Sequence, residues 1–332
     1  MKTPLIFEGD TRYTYSSGVI RGLENFLLTP GDYQKVFDVG DEQLGTVLAE
    51  IGYGGGEHNP EHALDIATQQ LLELVEKLSR HKQFTDTIRL KYDFKNAQIY
   101  LKAHFFDEKI SSTLPNGTIE PDSLFAEIEN LLNGEIAKLP KPMDEGIEKV
   151  NNIISSFNTP VAVDIVMDNV YYRYLHDALP QSEYFIRWFA IVADWINTKS
   201  FVRIVRSQLP INLFPEYALD GGDIPLDKFY QSSELDTESI PMLFANTEYG
   251  NKFVDIIKHG LDGKLSSLDI FFRERLMQLY RYTRYCLYGL ELVWAYAQIK
   301  LEEIGTLRTI LRVKNAKLDF DWIKEVISIV IQ

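Results

Sequence analysis

The sequence predicts an all-α fold, and three features of its pattern lead to that prediction. Apolar residues recur at spacings of three and four along most of the chain, as on the buried stripe of a helix. Strict alternation of apolar and polar residues, the pattern of a half-buried strand, is scarce. No proline occurs from residue 242 to residue 332, so nothing there interrupts a helix by removing a backbone donor.

Proline and glycine gather in a few short segments that separate the predicted helices. These connectors are residues 52–60, 115–121, 140–142, 210–225 and 260–263. Only residues 91–104 resemble a strand. Two observations favour a helix there. The segment starts with an aspartate that is followed three residues later by an asparagine, and the same pattern recurs further along the chain.

The last third of the chain carries the clearest helical rhythm. Spacings of four and three run through Leu276, Tyr280, Leu287, Leu290, Trp294, Ala297, Leu301 and Ile304, with the polar Thr283 as the exception between Tyr280 and Leu287. The rhythm predicts one long helix, or two helices in line with a break near Gly289 or Gly305.

An internal repeat links the middle of the chain to its first third. In both copies an acid and an amide lie three residues apart, a base follows nine residues after the acid, and a polar loop comes next. The two copies are Asp93, Asn96 and Lys102, and Asp194, Asn197 and Arg203. Their loops contain residues 116–119 and 221–224, about 100 residues apart.

The repeated pairs Asp93/Asn96 and Asp194/Asn197 suggest architecture more than chemistry. Active sites are rarely duplicated within one chain, whereas a buried acid and amide can cap or bridge a neighbouring helix if their hydrogen bonds are met. We therefore interpret both pairs as structural bridges.

The repeat and the length predict three related helical lobes in a pseudo-threefold arrangement. A chain of 332 residues is long for one core, and two or three packed units are expected. A third, weaker copy at residues 304–308 parallels residues 17–21 near the other end of the chain. The predicted lobes are 1–105, 106–207 and 208–332, and residues 306–332 could pack with the first.

Composition and charge exclude several classes of partner. The net charge of −14 would repel the phosphates of nucleic acid and of anionic lipid. No stretch approaches the roughly 18 apolar residues of a membrane span, and Lys2, Glu8 and Asp10 argue against a signal peptide. Cys286, the only cysteine, cannot form an internal disulfide, and we interpret it as an inert thiol on a buried helix face.

Residues 58–62 match the H-x-x-E-H pattern of some zinc proteases. That chemistry needs both histidines on one helix. Pro60 is better placed as a first helical residue capped by Asn59, which leaves His58 outside the helix. A helical metal-dependent hydrolase using His58 and His62 is therefore the alternative function, and a helix start is the favoured interpretation.

No other catalytic or cofactor motif is present. Residues 52–56 are rich in glycine but lack the spacing of a dinucleotide site and the Gly-Lys-Ser/Thr of a P-loop. No G-x-S-x-G element presents a nucleophile. We expect no catalytic residue, no metal and no cofactor.

The segment 220–238 is strongly acidic. It is expected to be a solvated loop, or alternatively a charged rim that docks a basic partner. The rim candidates are Asp223, Asp227, Glu234 and Asp236.

Both ends of the sequence carry motifs of a known family. The N-terminal motif reads Tyr13-Thr14-Tyr15, Gly18-Val19-Ile20-Arg21-Gly22-Leu23-Glu24, Leu27-Leu28-Thr29 and Asp32-Tyr33. The C-terminal motif reads Glu291-Leu292-Val293-Trp294-Ala295-Tyr296, Lys300, Glu302 and Leu307-Arg308-Thr309-Ile310-Leu311-Arg312-Val313-Lys314. Together with the Asp93/Asn96 helix, these motifs resemble the C subunit of V/A-type ATPases, the relative of eukaryotic subunit d.

The resemblance implies a specific role. The family forms a funnel of three similar helical domains on the cytoplasmic face of the membrane ring of proteolipid subunits. One copy receives the foot of the central stalk, subunits D and F, in its upper cavity. It has no active site, and it links ATP hydrolysis or synthesis in the catalytic head to movement of H⁺ or Na⁺. The implied location is cytoplasmic and peripheral to the membrane.

Overall fold

The computed structural model describes residues 5–80 and 82–316, with only the backbone at residues 233 and 234. This described part contains fourteen α-helices, eight 3₁₀ turns and no strand, so the predicted all-α class is confirmed. The helices are α1 Thr14–Leu23, α2 Pro30–Asp38, α3 Leu44–Glu50, α4 Pro60–Ser79, α5 Lys82–Phe106, α6 Pro121–Leu132, α7 Met143–Phe157, α8 Pro160–Ala178, α9 Glu183–Arg206, α10 Phe214–Tyr217, α11 Leu226–Tyr230, α12 Gly250–Leu261, α13 Leu265–Tyr282 and α14 Leu290–Asn315.

The starts of several helices follow directly from the sequence. Helices α2, α4, α6 and α8 each begin with a proline, whose missing N–H costs nothing at the first helical position. Asn59 caps α4 by accepting the amides of Glu61 and His62 at 3.0 and 3.3 Å. A capping box formed by Thr29 and Asp32 starts α2.

The last third forms two helices. Helix α13 ends at Tyr282, a 3₁₀ turn covers Thr283–Tyr285, and α14 begins after Gly289. The predicted break near Gly289 is therefore present, whereas Gly305 lies inside α14. Cys286 is buried as expected, but it lies in the connection between the helices and not on a helix face.

The chain packs as two compact units. Unit 1 holds the described residues within 1–85 and 273–332, and unit 2 holds residues 86–272. The division into lobes 1–105, 106–207 and 208–332 stays a prediction. Of the C-terminal segment 306–332, the part beyond residue 316 lies outside the described residues.

In unit 1, α14 forms the axis against which α4, α1 and α2 pack. Trp294 on α14 is 1% exposed and meets Phe84 edge to face at 5.2 Å. Near the other end of α14, Arg308 pairs with Asp65 on α4 at 2.6 Å, and Lys314 donates to the carbonyl of Phe37 at 2.6 Å. Apolar packing near the start of α14 and charged contacts near its end therefore fix this helix in unit 1.

In unit 2, α8 packs on α7 and α9, and α12 packs on α9. Helix α9 is apolar around most of its circumference, as expected of a helix enclosed by neighbours. An aromatic cluster fills the core beside it. Its fully buried members include Phe201, Phe214, Phe229, Phe244, Phe253, Phe271 and Phe272.

Candidate functional site

Asp93 and Asn96 on α5 hold the loop that follows this helix, and we call this arrangement the first clasp. The Asn96 side chain donates to the carbonyl of Leu114 and accepts its amide, both at 2.8 Å. The Asp93 carboxylate accepts the Thr118 amide at 2.9 and 3.0 Å, the Thr118 hydroxyl at 2.6 Å and the Ile119 amide at 3.3 Å. The pair therefore fixes two points of the loop.

Asp194 and Asn197 on α9 form the second clasp with the same geometry. Asn197 donates to the carbonyl of Leu219 and accepts its amide, both at 2.8 Å. Asp194 accepts the amides of Asp223 and Ile224 at 3.1 and 3.0 Å. Where the first clasp uses a loop hydroxyl, here the hydroxyl of Tyr249, which precedes α12, donates to Asp194 at 2.7 Å. The second clasp therefore ties a third element to α9.

A glycine in each loop permits the close approach of the aspartate. A Cβ on Gly117 would lie 2.0 Å from Oδ1 of Asp93, and a Cβ on Gly222 would lie 2.2 Å from Oδ1 of Asp194. Both distances are far below van der Waals contact. The glycines of the two sequence copies thus share one steric requirement.

Burial dominates the electrostatics of both clasps. Asp93, Asn96, Asp194 and Asn197 are fully enclosed. Burial raises the pKa of Asp93, and the hydrogen bonds from Thr118 oppose the rise. Burial raises the pKa of Asp194 to about 7, with Tyr249 and the Ile224 amide lowering it and the nearby Asp223 charge raising it. The second clasp therefore contains a carboxyl group that titrates near neutral pH.

The bases that end each sequence copy meet on α8. Lys102 pairs with Asp164 at 2.8 Å, and Arg203 lies 3.8 Å from Asp164 and 3.7 Å from Asp168. Lys95 also pairs with Asp168 at 2.9 Å. The two acids, four residues apart on one helix face, thus connect α5, α8 and α9 by charge.

Asp168 is the more strongly engaged of the two acids. Burial alone would raise its pKa, but Lys95, Arg203 and a hydrogen bond from Gln98 outweigh burial and hold the pKa below its ordinary value. The Gln98 amide donates to Asp168 at 2.9 Å. Sequence reasoning identified the bases but missed both acids of α8. An acid pair at a four-residue spacing was the available signal.

Glu303 on α14 is a further buried acid, so the sequence-based expectation that Glu302 and Glu303 lie together on a solvated helix surface is wrong for Glu303. It is 1% exposed and accepts the Leu28 amide at 2.6 Å, the Tyr53 hydroxyl at 2.6 Å and the Lys300 ammonium at 2.7 Å. Like the clasp aspartates, it holds a loop amide from a long helix.

The spacing around Glu303 also matches the repeat. Thr306 follows three residues later and is buried, and Arg312 follows nine residues later. Among the described residues the Thr306 hydroxyl has no hydrogen-bond partner, so it does not do what Asn96 and Asn197 do. An acid followed by a base nine residues later was the available sequence signal for Glu303, but this spacing does not indicate burial.

The acidic segment lies on the surface of unit 2. Asp223, Asp227 and Asp236 are exposed, and the side chain of Glu234 lies outside the described residues. Asp236 accepts the Ser239 amide at 2.8 Å. Through the Asp223 amide, the segment is attached to Asp194 of the second clasp.

Residues 58–62 form the capped start of α4. His58 precedes the helix, and Nδ1 of His62 lies 3.0 Å from the Glu57 carboxylate on the surface. Across the described residues, no three acids, histidines or cysteines are grouped to hold a metal ion. No described helix is long and apolar enough to cross a membrane.

A cavity of about 550 Å³ opens in unit 1 beside Glu303. The Lys300 ammonium lines it and donates to the Tyr53 hydroxyl at 2.6 Å. Partly exposed apolar side chains supply much of the remaining wall, and among them are Leu23, Leu27, Leu28, Ile51 and Leu74. Its walls come from helix ends and turns as well as from α4 and α14.

Comparison with known families gives one match. The family model described as ATP synthase (C/AC39) subunit matches residues 16–326, which is nearly the whole chain. No curated protein matches the chain.

Proposed function

Because the chain belongs to the ATP synthase (C/AC39) subunit family, we propose that it is a non-catalytic rotor adaptor of a V/A-type rotary ATPase. In this role it links the central stalk, subunits D and F, to the proteolipid ring of the membrane sector. It thereby couples ATP hydrolysis or synthesis to transport of H⁺ or Na⁺. The family match over residues 16–326 is the observation that carries this proposal.

The interior of unit 2 suits a part that transmits torque. A spacer between two partners must resist deformation, and buried polar contacts with fixed geometry resist it better than apolar packing alone. The two clasps hold the loops after α5 and α9, and Asp164 and Asp168 join both helices to α8. The buried polar side chains of both clasps are thus engaged in holding structural elements of unit 2 together.

The cavity in unit 1 supports the proposed grip on a partner. Apolar anchors usually dominate such contacts, while charges set orientation and association rate. Partly exposed leucines around the cavity, with Phe26 beside them at 74% exposure, offer apolar surface that a partner side chain can cover. We propose that the foot of the stalk places an apolar anchor there.

The attachment to the membrane sector is proposed to be protein to protein. No described helix could span a membrane, and the net charge of −14 opposes adsorption to anionic lipid. One copy of the chain would sit on the cytoplasmic side of the proteolipid ring. The three lobes 1–105, 106–207 and 208–332 are proposed to form a funnel around the stalk.

Removal of the subunit tests the proposal. Without it, ATP hydrolysis by the soluble catalytic head should continue while ATP-driven ion transport by the membrane-bound complex stops. Adding back the full chain should restore transport. If complexes without the chain still transport ions at the normal rate, the chain is not the coupling element.

A further inference from the structure

One polar side chain of the unit 1 cavity has no partner within the described part of the chain. Tyr296 on α14 lines the cavity and is only 6% exposed. Its hydroxyl bonds to no described residue, yet it is not sealed off as the unpartnered hydroxyls of Tyr33 and Thr306 are. Water in the cavity can meet this need in the free chain, but a group that fills the cavity must replace that bond.

Lys300 places a second donor beside the Tyr296 hydroxyl. The two residues lie four apart on α14, so their side chains share one face of the helix. The Lys300 ammonium donates to the Tyr53 hydroxyl at 2.6 Å and pairs with the Glu303 carboxylate at 2.7 Å. An ammonium has three N–H groups, and no described residue accepts the third. The α14 wall of the cavity therefore offers two donors to an acceptor that enters it.

The charges around the cavity favour a neutral acceptor over a carboxylate. The charged side chains that line it are Asp32, Glu50 and Lys300. Glu50 pairs with Lys35, and Lys300 pairs with Glu303, so these four charges cancel. Within the described part of the chain Asp32 has no ion pair, and its carboxylate accepts only groups of the neighbouring turn. The remaining charge is negative, and it opposes the entry of a carboxylate.

Tyr296 acts as a donor at neutral pH. Burial raises the pKa of Tyr296 to about 12, and the charges of Glu303 and Glu24 add to the rise. The hydroxyl therefore keeps its proton. A carbonyl oxygen has two lone pairs and no charge, so one such oxygen can accept from both Tyr296 and Lys300.

The rest of the cavity suits the apolar side chain of a protein segment. Leu27, Leu28 and Leu74 are among the partly exposed residues of its wall. A volume of about 550 Å³ lies in the range of sites that enclose a bound group. Every residue of a protein carries a neutral carbonyl beside its side chain, so a protein segment meets the apolar and the polar requirement together.

We infer that the cavity in unit 1 receives an apolar segment of the central stalk, and that Tyr296 and Lys300 bind a neutral carbonyl oxygen of that segment. The apolar wall supplies most of the contact area, and the two donors fix the orientation of the segment. The inference rests on the proposed function, because the occupant is the stalk of the same complex.

The test is a binding measurement on the full chain with Tyr296→Phe. The change removes only a hydroxyl that bonds to nothing in the described chain, so the melting temperature should not fall. Affinity for the purified central stalk should fall about tenfold, because a carbonyl in a filled cavity loses a donor. Tyr15→Phe is the matched control, since Tyr15 is 72% exposed on α1 and does not line the cavity. Its affinity should stay within about twofold of wild type.

Salt dependence shows whether the acceptor is neutral. Tyr296→Phe and wild type are compared at low and high salt, and Lys300 is left unchanged because it also pairs with Glu303. For a neutral carbonyl the ratio of the two affinities should be the same at both salt concentrations. For a carboxylate the ratio should shrink as salt screens the charge.

Four outcomes would overturn the inference. Wild-type affinity of Tyr296→Phe for the stalk would remove the polar contact and leave the proposed function intact. A lower melting temperature would assign the hydroxyl to the fold, and a ratio that shrinks with salt would exclude a neutral acceptor. Loss of affinity for the purified membrane sector in place of the stalk would assign the cavity to the wrong partner. If the wild-type chain does not bind the stalk at all, the proposed function fails as well.

Discussion

The side chain of Asn197 and the backbone of Leu219 exchange two hydrogen bonds, each 2.8 Å long. Both residues are buried, and their positions in the sequence differ by 22. The Asn197 side chain thus satisfies the hydrogen-bonding needs of both the backbone N–H and the C=O of Leu219, which are buried away from water.

Asn197→Leu should destabilise the fold because it leaves the N–H and C=O of Leu219 unsatisfied. Each unsatisfied buried group costs about 1–3 kcal/mol, so unfolding should need less free energy by at least that amount. Denaturant titration of the purified chain measures the loss. Asn152→Leu, on an exposed site of α7, is the control and should change stability by less than about 0.5 kcal/mol. Equal stability of the two variants would mean that the clasp contributes little.

Gly222→Ala tests the steric side of the same clasp. The new Cβ would lie 2.2 Å from the Asp194 carboxylate, so either the loop or the carboxylate must move. We expect a loss of about 1–3 kcal/mol, the usual cost of overpacking. Gly305→Ala is the control, since no atom lies within 4 Å of its Cβ position in α14, and it should be neutral or slightly stabilising. Equal melting temperatures for both variants would contradict the close approach.

The helical fold was predictable because its signals are local. Spacings of three and four, a proline at the first helical position and the capping residue Asn59 all depend on neighbours in the sequence, and they mark the start of α4 correctly. The repeat also identifies Asp93 and Asp194 as structural residues from the sequence alone, although it does not identify the loop amides that they accept.

What the sequence did not reveal depends on distant partners. The four-residue spacing of Asp164 and Asp168 places both acids on one face of α8, but it does not show that two other helices direct bases at them. Glu303 escaped notice because it looks like one of a solvated pair with Glu302. Only the fold shows that it is buried beside Tyr53 and Lys300.

Stability of the chain should depend on Asp194 between about pH 4 and pH 7. Burial raises its folded pKa to about 7, against about 3.9 in an unfolded chain. Within that window the folded chain keeps a proton that the unfolded chain releases. The stability that protonated Asp194 contributes is therefore fully present below its pKa in the unfolded chain, and it is lost as pH rises through its pKa in the folded chain. The titration of Asp194 should therefore lower the free energy of unfolding by up to a few kcal/mol between about pH 4 and pH 7.

Asp194→Asn isolates that contribution because the amide does not titrate. The difference in unfolding free energy between wild type and variant should change across pH 4–7 and level off on either side. Asp223→Asn, which removes the neighbouring charge that raises the Asp194 pKa, should move the window to lower pH. Parallel pH profiles for wild type and Asp194→Asn would show that Asp194 titrates normally.

Glu303→Gln should destabilise unit 1. The carboxylate pairs with the Lys300 ammonium at 2.7 Å in a site where Glu303 is only 1% exposed. Its removal leaves a largely buried cation without its partner, and breaking such a pair costs about 3–5 kcal/mol. Glu302→Gln is the control, because Glu302 lies 3.6 Å from Arg273 and is half-buried, so about 0–1 kcal/mol is expected. Thermal unfolding distinguishes them, and similar losses would show that the burial of Glu303 is unimportant.

Neutralising four acids of the acidic segment 220–238 should weaken association with the stalk or the ring in a salt-dependent way. The change is Asp223→Asn, Asp227→Asn, Glu234→Gln and Asp236→Asn together. Exposed charges steer encounter with a basic partner, and salt screens them over about 10 Å at 0.1 M. The association rate should therefore fall most at low salt, and the difference from wild type should shrink as salt rises.

A second fourfold variant separates a local rim from overall charge. It neutralises four exposed acids of unit 2 outside the segment, and they are Glu108, Glu135, Glu145 and Glu148. Both variants change the net charge of −14 by the same four units. If attraction comes from the chain as a whole, the two should slow association equally. If the segment is a docking rim, the first variant should slow association clearly more than the second. Stopped-flow mixing with the purified partner measures both association rates. Equal rates would mean that the segment is an ordinary solvated loop.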